Sequence, residues 1–208
     1  MSRDVSLGFC RTWVTAAALP LMAACGRGHA AAPPSTDPRM EMVSILAAPG
    51  PHASIGEPAR LWDPFVGTWD CDYTFYLDDG GIRHARGELE FGWIIDGRAI
   101  QDVWITYPDD AAKERDIGTS IRFYDPETKK WRVVFVSPAY RALTTVEGGL
   151  EGDRIVLRGA GREGTILRWS FNDIQRDSFV WRGEKSRDGG QTWRLREEHR
   201  MKRRMRSS

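Results

Sequence analysis

The chain has 208 residues, 41% hydrophobic and 28% charged, an ordinary soluble composition with enough material for one domain and a sizeable core. With 30 Lys and Arg against 29 Asp and Glu the net charge is +1, so no global field recruits nucleic acid, and no nucleic-acid partner is expected. Cys10, Cys25 and Cys71 are too few and too far apart for a disulfide framework or a metal knuckle, and no metal site is expected.

Residues 1–30 read as a leader. Arg3 and Arg11 flank a short n-region, and Thr12 to Ala24 is an apolar run too short to span a bilayer. Leu21-Met22-Ala23-Ala24-Cys25 resembles a bacterial lipoprotein cleavage box, which implies lipidation at Cys25 and a periplasmic, membrane-attached protein. Met22 stands where a branched Leu is usual, and Ala30-Ala31-Ala32 offers an ordinary signal-peptidase cut. A competing start at Met40 or Met42 makes residues 1–39 non-native and the protein cytoplasmic. Residues 31–60 are rich in Pro, Ala, Gly and Ser and read as a tether or surface wrap. Within them Met42 to Leu46 is too brief for a stable free helix but long enough to lie across a barrel end as a lid.

The domain proper spans residues 61–208. From Trp69 the apolar residues fall at every second position, the mark of strands with one dry and one wet face. Trp69, Cys71, Tyr73, Phe75 and Leu77 alternate along a first strand, and Asp78-Asp79-Gly80-Gly81 supplies a tight turn. Ala85, Gly87, Leu89, Phe91 and Trp93 alternate on the return. After Asp96-Gly97, two sets compete for the inward face: Ile100, Asp102 and Trp104, or Ala99, Gln101, Val103 and Ile105. A bulge at Gly97 would exchange them. Ile117, Thr119, Ile121 and Phe123 make the next strand, and Tyr124-Asp125-Pro126-Glu127-Thr128 turns it toward Trp131, Val133 and Phe135. Further strands read as 144–148, 154–159, 165–172, 178–185 and 193–201. The total is about ten short strands at roughly 8–12-residue spacing, with no long amphipathic helix between them. The predicted fold is all-β: an antiparallel up-and-down β-barrel, which removes exposed edges without helices to cover them.

Gly67-Thr68-Trp69, at the mouth of the first strand, resembles the Gly-x-Trp opening of lipocalin-like (calycin) barrels. With the strand count and the aromatic content, seven of nine Trp from Trp69 onward, the likeness extends to bacterial lipocalin-like domains of unknown function over residues 60–205. The resemblance implies an indole closing the barrel bottom under an arginine of the last strand, for which Arg196, Arg200 and Arg204 are candidates. It also implies a cup for a small hydrophobic or amphipathic ligand, lined by Trp69, Tyr73, Trp93, Phe123, Phe135, Trp169 and Trp181 and capped by His199. The alternatives are a barrel filled by its own aromatics and a small-barrel enzyme.

Ser186-Arg187-Asp188-Gly189-Gly190-Gln191-Thr192-Trp193 resembles the Ser-x-Asp-x-Gly-x-Thr-Trp Asp-box, a structural turn in which Ser186, Asp188, Gly190, Thr192 and Trp193 hold the fixed positions. It occurs once, in a chain too short for a propeller and without the paired acids of a glycosidase. Glu197 and His199 share the inward face of the last strand and could form an acid-base pair. Haem-binding calycins similar to nitrobindin place a histidine late in the barrel, so haem is the one cofactor considered; none is otherwise expected. The bland alternative leaves both groups solvated where the strand exits among Arg194, Arg196, Glu198 and Arg200. Asp96, Arg98 and Asp102 form a second polar cluster, read as a salt-bridged turn or a cavity mouth. No nucleophile elbow, phosphate loop or dinucleotide fingerprint is present, and no catalytic residue is assigned.

Overall fold

A computed structural model describes residues 38–108 and 114–205; the leader with Cys25, residues 109–113 and residues 206–208 lie outside the described residues. Ten strands follow one another: β1 (Gly67–Tyr76), β2 (Ile82–Ile94), β3 (Ala99–Tyr107), β4 (Asp116–Asp125), β5 (Lys130–Ser137), β6 (Ala142–Glu151), β7 (Arg154–Ala160), β8 (Ile166–Asn172), β9 (Ser178–Ser186) and β10 (Arg194–Arg203). Each pairs antiparallel with its neighbours in sequence, and β10 returns to β1 to close the barrel. Closure leaves no sheet edge unpaired, which is why a chain with so little helix can stand as a barrel.

Before the barrel, α1 (Pro38–Leu46) leads to a short wrap. The Ile95 N–H donates to Leu46 O at 3.0 Å, and the Ala48 N–H donates to Trp93 O at 2.9 Å. These bonds hold the wrap to the β2–β3 turn, where β1 begins; no residue of α1 lines the central cavity. Gly97, at φ +74°, is needed in that turn, because a Cβ there would stand 2.2 Å from Gly50 O.

Three 3-10 turns, Ala53–Ile55, Glu57–Leu61 and Asp63–Phe65, then carry Trp62 and Phe65 into the barrel's end. Trp62 is wholly buried, edge-on to Trp131 (5.9 Å) and Phe171 (5.2 Å). Phe65 meets Phe179 at 4.9 Å, and Trp69 meets the same ring at 4.7 Å. Burying each such ring contributes roughly 1.5–3 kcal/mol, plus about 0.5–1.5 kcal/mol for each well-oriented aromatic pair. This end of the barrel is plugged.

The arginine that covers Trp69 is Arg203, not Arg196, Arg200 or Arg204. Its guanidinium lies 4.1 Å from the indole centroid and donates to Val66 O (2.9 Å), Arg176 O (3.0 Å) and Pro64 O. Register explains the choice: Arg203 is directly opposite Trp69, so both side chains leave the same face. Arg204, on the other parity, points outward and pairs with Asp70 and Glu88.

The structure decides the face that the sequence left open in β3 and reverses the one that the apolar residues of β4 suggest. In β3 the inward set is Ile100, Asp102 and Trp104, opposite Trp93, Phe91 and Leu89. In β4 it is Gly118, Ser120 and Arg122, so Ile117 (40% exposed) and Phe123 (47% exposed) face out. The polar residues of β4 are inside because Ser120 and Arg122 share Asp102, which β3 brings to the same level.

Candidate functional site

At the end of the barrel away from Trp62, a half-enclosed cavity of ≈ 370 Å³ remains between the walls. Phe75, Trp104, Phe135, Leu167, Trp169 and Trp181 form much of its apolar lining. The rings stack around it in sequence: Trp104 to Phe135 at 6.4 Å, Phe135 to Trp169 at 5.9 Å, and Trp169 to Trp181 at 5.9 Å. Unlike the rings of the plugged end, these four keep part of their surface in contact with solvent.

Asp102, Ser120 and Arg122 form the polar part of the lining. Arg122 is 3% exposed and Asp102 5%. Arg122 Nη2 donates to Asp102 Oδ2, and the Ser120 backbone N–H donates to Oδ1 at 3.1 Å. The carboxylate is therefore held by two donors, the arrangement a buried charge requires. The guanidinium carbon lies 4.8 Å from the Trp62 centroid, 5.2 Å from Phe91 and 5.9 Å from Phe171, so Arg122 lies between the plug and the cavity. Its Nε and Nη1 are buried and have no hydrogen-bond partner among the described residues.

A second group lines the cavity from β10. The His199 ring stacks on Trp181 (4.9 Å, 12°) and meets Tyr73 edge-on at 4.7 Å. His199 Nε2 lies 3.2 Å from Glu197 Oε2, while Nδ1 is enclosed without a partner among the described residues. One nitrogen is engaged and the other covered, so this geometry gives no support to haem ligation by His199. The solvated alternative does not hold for His199, which is 4% exposed, whereas the Glu197 side chain lines the cavity and keeps 40% of its surface exposed. Burial raises the Tyr73 phenol far above its ordinary range, and it lifts the Cys71 thiol to about 12. Both groups are neutral, inert wall material at physiological pH.

The structure divides the expected pocket residues. Phe135, Trp169, Trp181 and His199 line the cavity. Trp69, Tyr73 and Trp93 point inward but are packed in the core instead of lining it. Phe123 is on the outer surface, because β4 carries its partners for Asp102 on the alternate parity. Arg98 pairs with exposed Asp96 at 3.4 Å, and Asp102 belongs to the interior, so the expected three-residue cluster does not form. Arg122, Ser120, Leu167 and Tyr140 were not legible as lining residues. The available signal was the spacing of Arg122 two residues before Tyr124, which packs on Trp131 at 5.7 Å.

The β9–β10 hairpin is held by its own side chains. Asp188 accepts from the Thr192 N–H (2.9 Å), and Ser186 Oγ accepts from the Gly190 N–H (2.8 Å). The Thr192 hydroxyl and backbone N–H, donating to Asp188, hold its carboxyl down at about 2. Trp193 lies under Arg168, 4.1 Å from the guanidinium carbon.

The fold and site define a class, a closed ten-strand calycin-like barrel with one plugged and one hollow end. Among solved structures, the chain is similar to an S-type phycobiliprotein lyase, CPES, from Guillardia theta, with 12% identity, a TM-score of 0.51, and coverage of 71% of this chain and 93% of that one. It is also similar to Rv2717c from M. tuberculosis, with 13% identity, a TM-score of 0.51, and coverage of 72% and 99%. At such identities the likeness is one of fold. No family model matches the chain, and no curated protein does.

Proposed function

We propose that this barrel binds a small hydrophobic or amphipathic molecule without transforming it. The observation that carries the reading is the cavity of ≈ 370 Å³, walled by aromatic and aliphatic side chains with a few converging polar groups. That is the size and lining of small-ligand sites, at the lower end of the usual range of roughly 300–1,000 Å³. A barrel whose role was purely structural would close both ends as it closes the first, because an unfilled apolar space forfeits contact energy. The neighbour from Guillardia theta, named a phycobiliprotein lyase, shares the barrel fold in which this cavity lies.

Native mass spectrometry of the purified protein, with its absorption spectrum, tests the reading. A co-purified mass released by denaturation is the expected result. Failure to retain any native mass, together with no uptake of the neutral fluorophore N-phenyl-1-naphthylamine, would sink it. The same spectrum of the full-length product tests lipidation of Cys25 and envelope attachment: a mature chain beginning at Cys25 with acyl mass supports them, and one beginning at Met40 or Met42 replaces them with a cytoplasmic protein.

A further inference from the structure

We infer that the cavity takes a cationic amphiphile, with its ammonium head near the mouth between Glu197 and the rings of Trp169 and Trp181, and its apolar tail directed inward. The inference rests on the binding role proposed above and names the class of molecule bound. Asp102, Arg122 and Glu197 are the acidic and basic residues of the described lining, with His199 beside them. Asp102 and Arg122 offset each other. The Asp102 carboxylate accepts from Arg122 and from the Ser120 N–H, and the remaining guanidinium nitrogens, Nε and Nη1, are covered, so neither charge is offered to a ligand. That leaves Glu197 as the excess acidic group. No Lys or Arg among the described residues pairs with it, and its side chain keeps 40% of its surface exposed. Oε2 faces His199 Nε2 at 3.2 Å, which leaves Oε1 for a ligand.

The wall around Glu197 is shaped for a cation. The register of β10 against β9 shifts between Leu195 and Glu197, so Arg196 is the extra residue of a bulge, an irregularity that re-aims neighbouring side chains. Leu195 is opposite Glu184, which pairs with Arg168, whereas Glu197 is opposite Gly183 and lines the cavity. Gly183 is in turn opposite Trp169 on β8. A Cβ on Gly183 would stand 2.8 Å from the Trp181 ring, so the bare glycine gives that indole its place beside Glu197 and Trp169. Glu197 and Trp169 are two strands apart, about 10 Å, and a cation between them comes within about 6 Å of the Trp169 and Trp181 rings. Both rings are only partly buried. Indole faces attract a cation through their quadrupole, and a carboxylate on the opposite side adds its charge.

The inner face of β10 sets the direction. Glu197, His199 and Met201 follow one another along it, and Met201 is next to the Trp69–Arg203 pair at the plugged end. Phe91 and Phe171 line the cavity and also meet Phe65 of the plug, at 5.6 and 5.3 Å. Tyr140, 43% exposed, marks the mouth. There Arg83 lies 4.0 Å over the Phe75 ring and Asp116 accepts from the Tyr140 hydroxyl at 3.4 Å; these two opposed charges do not line the cavity. A head at Glu197 thus keeps its charge near water while the tail fills the apolar space below.

The test uses the intact protein loaded with N-phenyl-1-naphthylamine and displaced in turn by decyltrimethylammonium and decanoate, which share a chain length and differ in the sign of the head. The cation is expected to displace the fluorophore at concentrations lower by roughly tenfold or more. Equal displacement, or a preference for decanoate, overturns the inference while leaving a binding barrel in place. Failure of the fluorophore and both competitors to bind removes the cavity reading and the inference with it. In Glu197→Gln, which keeps the shape of the side chain, the preference for the cation should fall by about threefold or more, and a smaller change overturns the assignment of the head to Glu197. A readout independent of any variant is cross-relaxation in the unaltered protein between the N-methyl protons of bound decyltrimethylammonium and indole ring protons. Its presence supports the head position, and contact of the indoles with the chain alone overturns it.

Discussion

Where β1 begins, the barrel receives Trp62 and Phe65 from a segment outside the sheet, and their rings reach Trp131, Phe171 and Phe179. At the other end the strands supply Trp104, Phe135, Trp169 and Trp181, yet a space of ≈ 370 Å³ remains. Both ends are rich in aromatics, so composition does not separate them. The difference is a pair of side chains delivered from before the first strand. Aromatic rings standing on a curved wall line a space, and filling that space takes residues inserted along the barrel axis.

The comparison breaks first at the plug. Trp62→Ala should lower stability by about 3–5 kcal/mol, measured by urea unfolding, because it empties a fully buried ring and uncovers Arg122. A loss under about 1 kcal/mol would mean that Trp62 is not the plug. Arg122→Met should cost nearly as much, about 3 kcal/mol, since Asp102 is left buried without its cation. Adding Asp102→Asn should recover a large part of that loss in the same unfolding experiment; no recovery would show that Arg122 acts by packing alone. At the hollow end, Trp169→Ala should cost only roughly 1–2 kcal/mol because its ring is partly solvated, yet it should weaken N-phenyl-1-naphthylamine uptake several-fold. Equal stability losses for Trp62→Ala and Trp169→Ala would erase the distinction between the ends.

The smallest effect concerns the β9–β10 hairpin. The Asp188 carboxyl is held at about 2, below its ordinary 3.8, so its contribution is present above about pH 4 and lost as pH falls toward 2. Asp188→Asn should flatten the stability-versus-pH curve in that window and leave neutral-pH ligand uptake unchanged. An unaltered acid slope would remove the hairpin from the account of acid stability.

Much of the architecture was legible from local pattern. Alternation from Trp69, turn residues such as Asp78 to Gly81, and strands at regular spacing led to a ten-strand up-and-down barrel, and the chain closes in that way. The cavity lining is legible in part, through Phe135, Trp169, Trp181 and His199. Phe123 misled because an apolar residue two places from other apolar residues marks a face without saying which face is inside. Arg122 carries no local signal for the complementary reason: a charge on a strand reads as solvent-facing unless its partner is known. Here the partner, Asp102, is on the neighbouring strand, and its own parity depended on the β2–β3 turn.

Period and turn chemistry are properties of adjacent residues, so the sequence alone determined that about ten strands form and that they run antiparallel in order. Tertiary structure alone decided that β4 turns Arg122 inward, that Arg203 instead of Arg204 covers Trp69, and that Trp62 plugs one end. Each of these depends on register between strands or on contact between segments far apart in the chain. A period of two supplies a pair of faces, and only the closed wall distinguishes the inner from the outer.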